Sequence, residues 1–123
     1  MAEKRFSTAS GTVATAEINA DYENAGIYDK LRVGTLGVYF RDGFRMKYIP
    51  YDYIDRAFIR VQQAHAAKCC GEAIYDYYRM VFVHGGKEFA DCLSENERAM
   101  DAALAKIAAH GVVTGFIRAE ASA

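Results

Sequence analysis

The middle of the chain alternates apolar and polar residues around an Asp-Gly pair, and this pattern predicts a β-hairpin. Asp42-Gly43 is the kind of two-residue sequence that strongly favours a tight hairpin turn, because both central residues of such a turn adopt positive φ. Arg45 and Lys47 then fall on the polar side of the second strand, and Pro50 ends it, because proline donates no hydrogen bond to a central ladder. The apolar positions that we expect on the core-facing side are Leu36, Val38, Phe40, Phe44, Met46 and Tyr48.

Three further strands are predicted in the second half of the chain. Residues 53–62 and 73–84 both alternate inward and outward positions, and residues 87–93 form a returning strand after a Gly85-Gly86 turn. We predict a polar loop over residues 64–71, between the first two of these strands. The inward-facing positions are Ala57, Ile59, Val61, Ile74, Tyr78, Met80 and Phe82.

The hydrophobic period changes after residue 94 and predicts an amphipathic helix over residues 95–110. Ser94 and Glu97 match a capping box, in which each side chain bonds to the backbone amide of the other residue. Gly111 suits the position just past a helix end, because that position often needs positive φ. The apolar face of the helix consists of Met100, Ala103, Leu104, Ile107 and Ala108.

The two ends of the chain have weaker patterns. Residues 1–20 are mostly small and polar and predict a frayed arm, with a short strand around residues 12–18. Residues 21–30 are ambiguous, because Tyr22, Ala25 and Tyr28 stripe one side of a short helix whereas Gly26 disfavours it. Residues 112–117 predict a short packed segment and residues 119–123 a frayed tail, so a single domain is expected over residues 21–118.

A series of strands followed by one helix predicts a mainly β (α+β) fold. An antiparallel sheet with one apolar face needs a cover, which one amphipathic helix provides. An open sheet also exposes its edges, so we expect the strands to form an antiparallel barrel or a two-sheet sandwich. The composition agrees, because 123 residues that are 52% hydrophobic with a net charge of −1 fit one globular domain and exclude a disordered chain.

The sequence around the hairpin resembles that of bacterial pleckstrin-homology-like (PH-like) proteins. The matching residues are Val38-Tyr39-Phe40, Tyr48-Ile49-Pro50-Tyr51 and Ile54, and the similarity in strand order extends over residues 32–110. The resemblance implies a partly open barrel of about seven strands capped by a C-terminal helix. It also implies a role in binding or scaffolding, with no catalysis and no cofactor. Many eukaryotic relatives bind phosphoinositide head groups through basic residues of the first hairpin, and the two-residue turn of this sequence departs from that pattern.

A local excess of basic residues suggests a binding face. We take Arg41, Arg45, Lys47, Tyr48 and Tyr51 as candidate binding residues. Several cations on one sheet face would bind a phosphate, a lipid head group or an acidic peptide, because arginine pairs bidentately with such groups. The alternative is an ordinary solvated face, which strands commonly present opposite a core. A pI near 6.3 argues against generic nucleic-acid binding. The window of residues 30–47 holds one acidic residue, Asp42, and five basic ones, Lys30, Arg32, Arg41, Arg45 and Lys47.

The nine tyrosines include two clusters, at residues 48–53 and 75–78. A tyrosine has an apolar ring and a polar tip, which suits a protein interface or a symmetric dimer contact. The alternative is that tyrosine simply favours pleated surfaces. Our leading hypothesis is a non-enzymatic domain that recognises a protein, either a partner or a second copy of this chain.

The three cysteines give weaker hypotheses. Cys69 follows His65 by four residues, so a thiol-dependent enzyme is a remote alternative, because a catalytic cysteine needs a neighbouring base. The Cys and His spacing fits no zinc pattern, so no metal is expected, and Cys92 is expected to be a small core residue. The odd count and the adjacent Cys69 and Cys70 favour reduced thiols. We expect a cytoplasmic protein, because no apolar block of a secretory signal or a membrane span is present.

Overall fold

Two β-sheets and two α-helices make up the structure, a computed structural model that describes residues 4–9, 11–68 and 71–118. It describes the backbone alone for residues 64–68, 71–75 and 116–118. The elements in chain order are β1 (Phe6–Thr8), β2 (Gly11–Val13), α1 (Ala16–Asn24), β3 (Gly26–Tyr28), β4 (Leu31–Val33), β5 (Gly37–Asp42), β6 (Arg45–Pro50), a short 3-10 helix (Tyr51–Tyr53), β7 (Arg56–Lys68), β8 (Gly71–His84), β9 (Lys87–Ser94), α2 (Glu97–Ala109) and β10 (Val113–Arg118). The mainly β fold with a helix near its C-terminal end is as predicted.

The strands divide into a six-stranded sheet, in the order β2-β1-β6-β5-β4-β3, and a four-stranded sheet, in the order β10-β7-β8-β9. Strands β3 to β6 and strands β7 to β9 are two antiparallel meanders. Strands β1 and β10 each add to a meander in parallel, beside β6 and β7. No ladder joins the two sheets among the described residues, so the predicted barrel is not closed.

The main core lies between the two sheets and is covered by α2. The rings of Phe40 on β5 and Phe82 on β8 stack across it with their centroids 5.8 Å apart. The predicted core side of the first hairpin is wrong at Leu36, which is exposed, and at Met46 and Tyr48, which lie on the other face of the sheet. The predicted alternation is confirmed at eight other positions, where the inward residues are almost fully buried. These residues are Val38, Phe40, Ala57, Ile59, Val61, Tyr78, Met80 and Phe82.

The first hairpin turns one residue later than predicted. The turn residues are Gly43 and Phe44, because Asp42 pairs with Arg45. Gly43 has a φ of +64° whereas Asp42 and Phe44 do not have positive φ, which fits a type II′ turn with glycine in its first central position. Phe44 was predicted to face the core, and its side chain is instead fully exposed at the tip.

The predicted loop over residues 64–71 is wrong, because β7 and β8 continue through it as a hairpin. Lys68 pairs with Gly71 at its end. Strand β9 accompanies β8 only from Tyr78, and β10 accompanies β7 only as far as Val61. No other strand of the described residues pairs with the rest of the hairpin, so its sequence lacks the apolar face that would have revealed a strand. Cys69, Cys70 and the predicted tail over residues 119–123 lie outside the described residues.

The predicted N-terminal arm is instead structured in its described part, where it forms β1, β2 and the beginning of α1. The Phe6 side chain is fully buried, and Thr15 caps α1 by accepting a hydrogen bond from the Ile18 amide. The predicted strand over residues 12–18 overlaps β2 only at residues 12–13. Elements this short, with at most one buried aromatic residue each, give no periodic pattern, which is why the sequence did not reveal them.

Helix α2 begins two residues later than predicted, because its cap is Asn96 and not Ser94. The Asn96 side chain accepts from the Ala99 amide at 3.0 Å. Ser94 is the buried last residue of β9, and its hydroxyl accepts from the Asn96 amide and donates to Asp29. The predicted apolar face is confirmed at Met100, Ala103 and Ile107, whereas Leu104 is half-buried and Ala108 is exposed. Of the helices in the described ranges, neither is long and apolar enough to cross a membrane.

Candidate functional site

The outer face of the six-stranded sheet, opposite the main core, is covered by α1. A cluster of four aromatic side chains fills this contact: Phe6, Tyr22, Tyr39 and Tyr48. We call it the aromatic cluster. Tyr39 lies at its centre, 5.0 Å from Tyr48 in a stacked arrangement and 5.5 Å from Tyr22 edge to face. Because these rings pack against one another, they hold the C-terminal half of α1 at a fixed place on the sheet.

Asp21 fastens α1 to the loop between β4 and β5. Its carboxylate accepts from the Thr35 amide at 2.7 Å, the Leu36 amide at 3.0 Å and the Tyr39 hydroxyl at 2.6 Å. Burial, and then the Asp21 carboxylate, raise the pKa of Tyr39 far above its usual range, so this hydroxyl stays protonated and donates. One carboxylate therefore fixes the position of the next residue, Tyr22.

A basic groove lies beside Tyr22 on this outer face. Its volume is about 480 Å³, within the usual range for small-ligand sites. Of the described residues that line it, three are cationic and none is acidic. The lining residues are Tyr22, Lys30, Arg32, Tyr39, Phe40, Arg41, Gly43 and Met46.

The strand register explains why these cations meet. Arg32 lies directly opposite Tyr39, and Arg41 lies opposite Met46, so both point to the side of the aromatic cluster. The Arg32 guanidinium is 4.1 Å from the centroid of the Tyr22 ring and donates to the Tyr22 carbonyl oxygen at 3.1 Å. A guanidinium has five N–H donors, so this bond leaves others for a ligand.

The three groove cations have no acidic partner among the described residues to compensate their charge. Within the described residues, Lys30, Arg32 and Arg41 form no ion pair. Arg60 and Arg79 are paired, with Glu88 and Asp91, whereas Arg45 and Arg56 likewise form no ion pair within the described residues. The groove is therefore a concentration of uncompensated positive charge next to aromatic rings.

The predicted candidate residues do not form one basic face. Arg41 lies on the outer face of the sheet, whereas Arg45 and Lys47 lie on the opposite side. Lys47 is directly opposite the core residue Phe40, and its ammonium pairs with Asp42 at 3.4 Å. The separation follows from the alternation along the two strands, because Arg41 pairs with Met46 on the face of Tyr39 whereas Arg45 pairs with Asp42 on the face of Phe40. Arg45 does not line the groove, and a role in binding remains a prediction for Lys47.

Tyr48 and Tyr51, the other two predicted binding residues, are tied to the backbone around β5. The Tyr48 hydroxyl donates to the Leu36 carbonyl oxygen at 3.5 Å, and the Tyr51 hydroxyl donates to the Gly34 carbonyl oxygen at 2.5 Å. Burial raises the pKa of both hydroxyls. Neither residue lines the basic groove, and both hydrogen bonds hold parts of the six-stranded sheet together.

Sequence reasoning did not select Lys30, Arg32 or Tyr22 as site residues. Lys30 and Arg32 flank the fully buried Leu31, which is the one local sign that their side chains point away from the core. Strand β4 has three residues, too few for that alternation to be recognised.

The thiol and metal hypotheses gain little from the structure. Burial raises the pKa of the Cys92 thiol to about 11, so it remains protonated near neutral pH, as suits the predicted core residue. The side chains of His65 and Cys69 are outside the described part of the chain. Among described residues, no three His, Cys, Asp or Glu side chains are grouped to hold a metal ion.

No protein-family model, curated protein or solved structure matches this chain. The resemblance to PH-like proteins therefore rests on the sequence motif and the strand order alone.

Proposed function

We propose that this protein is a non-enzymatic binding domain whose basic groove holds the phosphate or carboxylate group of an anionic ligand. The observation behind this proposal is that Lys30, Arg32 and Arg41 line one groove without an acidic neighbour in its lining. Three like charges repel one another, and a bound anion relieves that repulsion while it forms charge-assisted hydrogen bonds.

We also propose a PH-like architecture for the domain. The four strands β3 to β6, the three strands β7 to β9 and the following helix α2 agree in number and order with the layout expected from the resemblance. Strands β1, β2 and β10 and helix α1 are then additions to that layout. Such a domain binds or scaffolds, and the groove supplies the chemistry of binding.

The groove suits an anion with some apolar surface. Arg32 and Arg41 offer planar donor forks for bidentate pairing, whereas Lys30 acts as a point charge. The Tyr22, Tyr39 and Met46 side chains lower the local polarity beside these donors, which strengthens each charge-assisted bond. Because Arg41 and Lys30 are solvent-exposed, binding should weaken as salt is raised.

Titration with two small anions, pyrophosphate and citrate, tests the proposal. Amide chemical shifts of the labelled protein are followed by NMR at low and at high salt. Saturable shifts at residues 30–32 and 39–43 are expected, with affinity lost at high salt. The variant Lys30→Met/Arg41→Met should weaken binding by about tenfold or more, equal to at least about 1.4 kcal/mol.

The matched control is Arg45→Met, which removes a cation from the same hairpin but outside the groove. It should change the affinity less than about twofold. Equal losses in the control and in the double variant would show that binding follows overall charge, and the proposal would fail. Absence of saturable shifts with both anions would also overturn it.

Recognition of a protein remains our prediction from the sequence. An acidic segment of a partner presents carboxylates, which would meet the same three cations. If citrate competes with a partner protein and the double variant fails to bind that partner, the groove is the docking site. Sedimentation of the purified chain tests the predicted homodimer separately.

A further inference from the structure

A second cavity lies between the two sheets, on the side of β6 that faces away from the basic groove. We call it the inter-sheet cleft. It measures about 500 Å³ and lies where the end of β1 and strand β6 face β9 without a connecting ladder among the described residues. The side chains used below to describe it are Lys47, Ile49, Pro50, Tyr53 and Phe89.

One wall of the inter-sheet cleft is aromatic and rigidly held. The rings of Tyr53 and Phe89 meet edge to face with centroids 5.0 Å apart. Behind them, His84 stacks on Tyr53 at 3.7 Å, and its Nδ1 is 2.8 Å from the Tyr53 carbonyl oxygen. Both cleft rings are only half-buried, so apolar surface remains in contact with solvent in the cavity.

The facing wall combines apolar surface with one charge. Ile49 and Pro50 end strand β6, and Lys47 precedes them on the same strand. Among the described residues that line the cleft, Lys47 alone is charged. Its side chain is 22% exposed, and its partner Asp42, at 3.4 Å, is 64% exposed. An ammonium has three N–H donors, so this exposed ion pair leaves donors for another acceptor.

We propose that the inter-sheet cleft binds a small amphipathic carboxylate, with its apolar body against Tyr53, Phe89 and Pro50 and its head group on Lys47. Charge complementarity selects this chemistry. A neutral apolar molecule would desolvate the Lys47 ammonium without replacing its water, and a cationic one would be repelled. The volume lies within the range of known ligand cavities, and the stacked aromatic wall needs no rearrangement to receive a ligand. The inference does not depend on the basic groove.

Octanoate is the probe, with octylammonium and acetate as matched controls. Octylammonium has the same apolar body with the opposite charge, and acetate has the head group without the body. The full chain is titrated while amide shifts are followed by NMR. Saturable shifts at Lys47, Tyr53 and Phe89 are expected with octanoate alone. Equal binding of octylammonium, or no saturable binding of octanoate, overturns the proposal.

Three variants test the role of Lys47. Lys47→Met should weaken octanoate binding by about tenfold. Lys47→Arg keeps the charge and should retain affinity within about threefold, which separates the loss of charge from damage to the fold. Arg45→Met removes the neighbouring cation of β6, outside the cleft, and should change nothing. If Lys47→Met and Arg45→Met weaken binding equally, the cleft does not select the head group and the proposal fails.

Two other outcomes would place octanoate in the basic groove or a second copy of the chain in the inter-sheet cleft. Because octanoate is an anion, it is also titrated into Lys30→Met/Arg41→Met, which lacks two groove cations. Loss of the octanoate shifts in that variant would assign them to the basic groove and overturn this proposal, without bearing on the groove itself. A dimer detected by sedimentation, with Tyr53 and Phe89 protected in it, would assign the cleft to a second copy of the chain and also overturn it.

Discussion

The Tyr39 hydroxyl of β5 donates a 2.6 Å hydrogen bond to the Asp21 carboxylate of α1, and this bond joins the helix to the sheet beside the basic groove. The same carboxylate accepts from two backbone amides of the preceding loop. Arg32 in turn binds the ring and the carbonyl oxygen of Tyr22, the residue after Asp21. The groove thus depends on a helix that is held mainly by one acidic side chain and by ring packing.

Replacement of this carboxylate by an amide should destabilise the protein. Asp21→Asn leaves a side chain with one oxygen acceptor for three donors, and bonds to a charged acceptor are worth about 1.5–3 kcal/mol each. We expect a fall in the free energy of unfolding of about 2 kcal/mol, measured by urea denaturation. Glu23→Gln, on an exposed position of the same helix, is the control and should change it by less than about 0.5 kcal/mol. Equal effects of the two variants would mean that the three bonds contribute nothing.

Phe44 distinguishes the two possible registers of the first hairpin. Its side chain is fully exposed, so Phe44→Ser should alter the free energy of unfolding by less than about 0.5 kcal/mol. Phe40→Ala removes a ring that is 2% exposed and should cost about 3–5 kcal/mol. Thermal and urea unfolding of both variants give the comparison. A loss of several kcal/mol in Phe44→Ser would favour the turn at Asp42-Gly43.

Local sequence patterns predicted which face of a long strand each residue lies on better than they predicted where the strand begins and ends. The alternation along β7 and β8 identified buried residues such as Ile59 and Met80, because the pleat of a strand points every second side chain toward the core. The hairpin turn was shifted because two turn types compete: Asp42-Gly43 suits type I′, whereas Gly43 alone suits type II′. The shift of the turn changed the pairing partners by two positions and left the faces unchanged, so Arg41 lies on the opposite side of the sheet from Arg45 in either register.

The basic groove needed contacts that a local pattern does not contain. Asp21 reaches residues 14 to 18 positions further along the chain, and Arg32 reaches back ten positions to Tyr22. The sequence did indicate a local excess of cations in residues 30–47. It did not reveal that α1 covers the sheet beside them, because α1 has a weak apolar face and only Tyr22 fully buried.

Gly37 is required by the close approach of two strands. A Cβ added there would overlap the backbone carbonyl oxygen of Ile49 on β6 and lie 2.9 Å from its carbonyl carbon. A backbone group in a ladder has no room to move, so Gly37→Ala should lower the free energy of unfolding by about 1–3 kcal/mol.

The control for Gly37→Ala is Gly115→Ala on β10, where the nearest atoms to an added Cβ are 3.7 and 3.9 Å away. Alanine loses less backbone freedom on folding than glycine, so this variant should be neutral or stabilising by up to about 1 kcal/mol. Both are measured by urea denaturation under the same conditions. A Gly37→Ala protein as stable as the control would contradict the close contact of β5 and β6.

Alkaline conditions should destabilise the protein because it buries protonated acids. Burial raises the pKa of the Cys92 thiol from about 9 to about 11 on folding. The unfolded chain therefore releases this proton at a lower pH than the folded chain does. The contribution of Cys92 to stability is complete below about pH 9 and is lost as the pH rises through about 11, by roughly 2–3 kcal/mol in total. Tyr39, Tyr48 and Tyr51 also have raised pKa values and act in the same direction.

Cys92→Ala separates the thiol from the tyrosines. The variant should be less stable at every pH because it leaves a small cavity, so the informative quantity is the change in stability between about pH 8 and about pH 11. That change should be smaller in Cys92→Ala than in the parent protein, by roughly 2 kcal/mol. The fall that remains should diminish further in Cys92→Ala/Tyr39→Phe, which removes the tyrosine hydroxyl that donates to Asp21. Parallel stability curves for the parent protein and Cys92→Ala would show that this thiol ionises as easily in the folded state as in the unfolded one.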